Sequence, residues 1–223
     1  MRYQIKGSPF PVVELQMARG EHIITDAGAM AWMDPGINME TVSKGGLGGA
    51  FGRMFSGETV FQNRYVATRD ASITLASSFP GEIRHLTIEP GKEIILQKSA
   101  FLCSQESVDR KVYLQKKLST AIFGGEGFVM SRYFGRGDLF IEIDGSAIEY
   151  DLAAGQQLIV DTGYVVAMDA TCKMEITEVK GMANKFLGGE GLFNTLVTGP
   201  GHVILQTMPL SALAGLLTVN SGS

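Results

Sequence analysis

The sequence predicts an all-β fold made of three similar units in a cyclic arrangement, and three observations point there. Ser56-Gly57-Glu58, Gly124-Gly125-Glu126 and Gly188-Gly189-Glu190 recur with the glutamates 68 and then 64 residues apart, the mark of one building block used three times. Leu139, Ile141 and Ile143 alternate with Phe140, Glu142 and Asp144, the period of two that lines one face of a strand. Glycine and Pro-Gly punctuation at Pro80-Gly81, Pro90-Gly91, Asp144-Gly145 and Gly199-Pro200-Gly201 supplies turns at the interval of a β-sandwich or barrel.

Taken along the chain, each unit can be justified from its residues. Residues 10–33 carry Gly20, Asp26, Gly28 and Met33, which match Gly155, Asp161, Gly163 and Met168, so this N-terminal piece completes a third unit begun near the C-terminus. Asp26-Ala27-Gly28 and Asp161-Thr162-Gly163 read as turns, with glycine free to take a positive φ. Trp32, the one tryptophan, reads as a core residue ahead of a ligand platform, with a pocket aromatic as the alternative. Lys44 to Gly52 is a glycine-rich loop that fits neither the Gly-x-x-x-x-Gly-Lys phosphate loop nor the Gly-x-Gly-x-x-Gly dinucleotide turn, and reads as a connection.

The first full unit spans residues 55–105, and laying Glu58 on Glu126 places Arg64 on Arg132, Tyr65 on Tyr133, Asp70 on Asp138 and Ile73 on Ile141. The arginines and aspartates read as repeated surface or inter-strand ion pairs. Ile94-Ile95-Leu96 and Val165-Val166-Ala167-Met168 are short apolar runs that suit strands buried on both faces. A charged connection at 106–121 leaves strand and short helix open, a second unit covers 122–170, and 187–206 opens the third. Residues 207–223 form a tail or a short helix with Leu213 and Leu216 on one side. All of 1–223 is expected to be one compact β domain.

Composition narrows the function. The 223 residues carry a net charge of −4, with no basic face of the kind that phosphate neutralisation requires, so no nucleic-acid partner is expected. The N-terminus lacks an apolar signal core and no run approaches the roughly 20 apolar residues of a membrane helix. A soluble, cytoplasmic protein is expected, with Cys103 and Cys172 as reduced thiols.

The residues give catalysis no support. No Ser-His-Asp order, Gly-x-Ser-x-Gly elbow or Cys-His signature can be assembled, His22, His85 and His202 fall at different repeat offsets, and no cofactor or metal is expected. Glu58, Glu126 and Glu190 are the minority candidates for a shared cation or for acid–base work, against a plainer role of accepting backbone N–H bonds in turns. Phe51, Phe55, Leu213 and Leu216 are candidates for an oligomer or peripheral membrane contact.

With these motifs in place, the order of Gly28-Ala29-Met30, Phe79-Pro80-Gly81, Phe123-Gly124-Gly125-Glu126-Gly127 and Gly199-Pro200-Gly201-His202-Val203 resembles the altered-inheritance-of-mitochondria 24 family over roughly Phe10 to Gln206. The resemblance implies a fold similar to the trp RNA-binding attenuation protein, of β-sandwich or double-stranded β-helix type, with three units around a pseudo-threefold axis and homo-oligomerisation. It implies no established activity. The expectation is a non-catalytic, self-associating scaffold or binding protein, homotrimeric, presenting a symmetric β surface or pocket to an unknown protein or small ligand. An ion-binding protein or enzyme using the repeated carboxylates, and a membrane-surface adaptor, are the alternatives.

Overall fold

A computed structural model describes residues 1–43, 61–116, 127–178, 193–210 and 212. Among the described residues the regular elements are β-strands and two short 3₁₀ turns, with Leu210 and Ala212 of the 207–223 tail in helical conformation. Strand β1 (Arg2–Lys6) stands before three successive runs of six. The first run is β2 (Val12–Met17), β3 (His22–Thr25), β4 (Met30–Met33), β5 (Ile37–Ser43), β6 (Phe61–Ala67) and β7 (Ala71–Ala76). The second is β8 (Gly81–Ile88), β9 (Ile94–Gln97), β10 (Phe101–Gln105), β11 (Val108–Lys116), β12 (Phe128–Gly135) and β13 (Gly137–Asp144). The third is β14 (Ala147–Leu152), β15 (Gln157–Asp161), β16 (Val165–Asp169), β17 (Lys173–Glu178), β18 (Phe193–Thr198) and β19 (Gly201–Gln206). The 3₁₀ turns, Lys98–Ala100 and Thr162–Tyr164, join β9 to β10 and β15 to β16.

Among the described residues four antiparallel sheets result. The first runs β1-β2-β7-β4, the second β5-β6-β3-β10-β13-β8, the third β11-β12-β9-β16-β19-β14 and the fourth β15-β18-β17. Raising every strand number of the second sheet by six reproduces the third, so corresponding strands pair in corresponding order. Each of these two sheets is shared, with half its strands from one run and half from the next.

Three apolar clusters tie the sheets together. One joins the first sheet to the second through Val13, Leu15, Ile73 and Leu75 against Tyr65, Leu102 and Phe140. Another joins the second to the third through Leu139, Ile141 and Ile143 against Leu96, Tyr133 and Val166. The last joins the third to the fourth through Ile95, Met130 and Met168 against Val160 and Val197.

This stacking corrects one reading of β13, whose alternation suggested a single buried face. Its residues Leu139 to Ile143 are all buried, because Phe140 faces the first cluster while Leu139, Ile141 and Ile143 face the second. A strand covered on both sides needs no polar face. The double burial expected for Ile94-Ile95-Leu96 and Val165–Met168 is present except at Ile94, which is only partly buried, and each run divides its side chains between two clusters.

Residues 108–116, where strand and helix were both open, form β11, an edge strand of the third sheet. Trp32 is not a core residue: 59% of it is exposed. The two aspartate-bearing turns also differ from each other. Gly28 takes φ 93°, whereas Asp161 caps a 3₁₀ turn by accepting the Gly163 N–H at 3.1 Å.

Candidate functional site

Corresponding turns of the three strand runs meet at one cavity of about 850 Å³. Its wall takes Asp26 to Ala29 from the β3–β4 turn, Gln97 to Ser99 from the β9–β10 turn, and Gly163 from the β15–β16 turn. Ser77 to Phe79, between β7 and β8, and Glu142 and Asp144, near the end of β13, form a second set with Gln206, the last residue of β19, and Pro209 and Leu210 beyond it.

Buried polar groups hold the wall. Glu142 accepts hydrogen bonds from the Ser77 hydroxyl at 2.9 Å, the Ser78 hydroxyl at 2.8 Å and the Ser78 N–H. Burial raises its carboxyl pKa, and those serine bonds oppose the shift. Asp144 is raised for the same reason, against one N–H bond donated by Leu210 at 3.2 Å. Gln206 binds two runs together, accepting the Asp144 N–H at 3.1 Å and donating to the Gly163 carbonyl at 2.9 Å.

Asp26 is neutralised from the neighbouring run. The Arg110 guanidinium lies 3.2 Å from its carboxylate and also covers the Phe101 ring, 5.3 Å from the centroid. Phe101 in turn stacks on Tyr133 at 5.5 Å, and burial pushes the Tyr133 phenol up to about 12. The cavity wall is thus mainly apolar, interspersed with serine, amide, carboxylate and lysine side chains, and Asp26 is paired with the Arg110 guanidinium.

A second polar cluster flanks a smaller cavity of about 380 Å³ between β8 and β14–β19. His202 is hydrogen-bonded to Asp151 at 2.7 Å and to Glu149 at 3.0 Å. Burial alone would lower this imidazole, yet the two carboxylates outweigh it and raise the pKa. His85 meets Asp138 at 2.7 Å, and Asp138 also accepts the N-terminal ammonium at 3.3 Å.

The histidines do fall at different repeat offsets, and that hid a relation. Moving by the 64 residues that separate Glu126 from Glu190 carries His85 onto Glu149 and Asp138 onto His202. The imidazole–carboxylate contact recurs with its partners exchanged. A search for matched carboxylate–histidine pairs, rather than matched histidines, would have found it.

The proposed arginine–aspartate pairs are corrected. Arg64 binds Glu40 and Glu106, each at 3.0 Å, and Arg132 binds Glu93 at 2.8 Å. Asp70 instead accepts the Arg19 N–H. Cys103 and Cys172 are free and buried, and burial pushes both thiols up. Glu58, Glu126, Glu190, Phe51, Phe55, Leu213 and Leu216 lie outside the described residues. Among the described residues, no three His, Cys, Asp or Glu side chains come together as a metal site requires, and no helix is long and apolar enough to cross a membrane.

Stacked antiparallel sheets around a turn-lined cavity define an all-β protein of repeated strand runs. The chain belongs to the mitochondrial biogenesis AIM24 family, whose sequence profile matches residues 3–208. It is 32% identical over 228 residues to an uncharacterised protein of Streptococcus pyogenes serotype M6, covering 97% of this chain and 90% of that one. It is also similar to the crystal structure of a Streptococcus pyogenes protein from a structural genomics consortium, with a TM-score of 0.81 and 28% identity, covering 98% of this chain and 99% of that one.

Proposed function

We propose that the chain is a non-catalytic binding or scaffold protein that self-associates, as a homotrimer in its closed form, and offers a shared pocket to a small ligand or a partner protein. In this reading the three strand runs sit around a pseudo-threefold axis in the manner of the trp RNA-binding attenuation protein, and the large cavity lies on that axis. One observation carries it: the cavity is bordered by the corresponding turns of all three runs. Its volume lies within the roughly 300–1,000 Å³ of small-molecule sites, and its mixed apolar and polar wall suits a neutral or weakly charged polar ligand.

Native mass spectrometry of protein purified without denaturation tests the pocket, beside a Ser99→Trp variant that fills it. The expected result is an adduct on the 24.0 kDa chain that the variant loses. An adduct retained in full by the variant, or none on either protein, refutes the pocket. Light scattering at micromolar concentration tests self-association, and a strict monomer there would refute it.

A further inference from the structure

Consecutive strand runs are joined edge to edge at two places, and the pairing is the same at both. In the second sheet Thr25 pairs with Cys103, Ile24 with Ser104 and Ile23 with Gln105. In the third sheet Leu96 pairs with Ala167, Ile95 with Met168 and Ile94 with Asp169. By the repeat, the next junction would set β15 against β4. The described strands contain no such pairing: β15 is bonded to β18 and β4 to β7, in separate sheets, and the other edge of each is unpaired.

The side chains report the same break. Ile24 and Ile95 are 7% and 0% exposed, while Ile159, their counterpart, is 70% exposed. Cys103 and Ala167 are 0% exposed, while Trp32 in the corresponding place is 59% exposed. Met33 is 36% exposed, against 3% for Ser104 and 1% for Met168. Bare strand edges carrying exposed apolar side chains are templates for another strand.

We propose that β15 of one molecule pairs antiparallel with β4 of a second copy, in the register Val160 with Trp32, Ile159 with Met33 and Leu158 with Asp34. This rests on the self-association reading above and names its surface. The two internal junctions dictate the occupant, because the strand that fits beside β3 or β9 is in each case the third strand of a run, and among the described strands the third strand with an open edge is β4. Among the described strands each copy offers one open edge on β15 and one on β4, so contacts run head to tail, and they close into a ring where the rotation closes, as the homotrimer proposed above requires. The pairing would cover Trp32, Met33 and Ile159 together.

Ile159→Lys and a cysteine pair test the seam. Ile159 is exposed in the single chain, so Ile159→Lys is expected to keep the wild-type circular dichroism while reducing the light-scattering mass to 24.0 kDa. Trp32, the sole tryptophan, should shift its emission to the red in that variant. Mixing Met33→Cys protein with Ile159→Cys protein under mild oxidation should give a two-chain species on non-reducing gels. An Ile159→Lys variant that keeps the wild-type mass overturns the seam while leaving self-association intact. A monomeric wild type overturns both. A Met33→Cys, Ile159→Cys double variant that oxidises within one chain, with no cross-link in the mixture, also overturns the proposal, since the seam then closes on itself.

Discussion

Glu142 shows how a single carboxylate ties local chemistry to stability. Its pKa rises above 4.5 on folding, so between 4.5 and the folded value the native state holds the proton that the unfolded chain has lost. Stability therefore falls as pH rises through that window, and Asp144 acts with the same sign. His202 is raised above 6.5, so its contribution is complete below 6.5 and is lost as pH climbs through the folded value. Melting temperature is expected to decline from mildly acidic to alkaline buffer. Glu142→Gln should flatten the acidic part of that curve and His202→Gln the upper part, and unchanged curves would refute both assignments. Glu142→Leu leaves the Ser78 N–H and hydroxyl without their acceptor, while the Ser77 hydroxyl keeps the Phe79 carbonyl, and is expected to cost about 1–3 kcal/mol in urea titration. None of this was legible at the glutamate itself, which reads as one polar position of an alternating strand; only the stacking of a further sheet buries it.

At the scale of elements, β13 sets the pattern. Phe140 is fully buried in the first cluster, and Phe140→Ala is expected to cost about 3–5 kcal/mol by thermal or denaturant unfolding. The entry to the paired strand β8 is equally tight. A Cβ at Gly81 would stand 1.9 Å from the Ile143 carbonyl oxygen, so Gly81→Ala must shift backbone and should cost about 1–3 kcal/mol. The sequence marked both places, the first as an apolar alternation and the second as a repeated glycine aligned with Gly145. It left β11 open because Asp109, Arg110 and Lys111 interrupt its apolar positions. Asp109 and Lys111 are exposed and at home on an edge strand, where charges discourage stray pairing, while Arg110 turns in to Asp26.

For the whole molecule, the repeat was the most readable property, since turns and buried runs at fixed spacing survive in sequence as glycines and branched apolar residues. The cavity was not readable, because each of its turns looks ordinary alone and acquires a partner only when distant segments meet. Trp32 was misread for a related reason: apolar character marks a residue that gains from burial, but the free edge of β4 leaves it in water.

The sandwiching of the second and third sheets between outer ones has a kinetic consequence. Amides in β9, β13 and β16 are bonded to neighbours on both sides and covered above and below, whereas β1 and β17 are edge strands of outer sheets. Deuterium should therefore enter β1 and β17 first and the three central strands last, through openings that approach the global unfolding free energy. The protein would come apart from its two outer leaves inward, with its middle pair of sheets as the last ordered remnant.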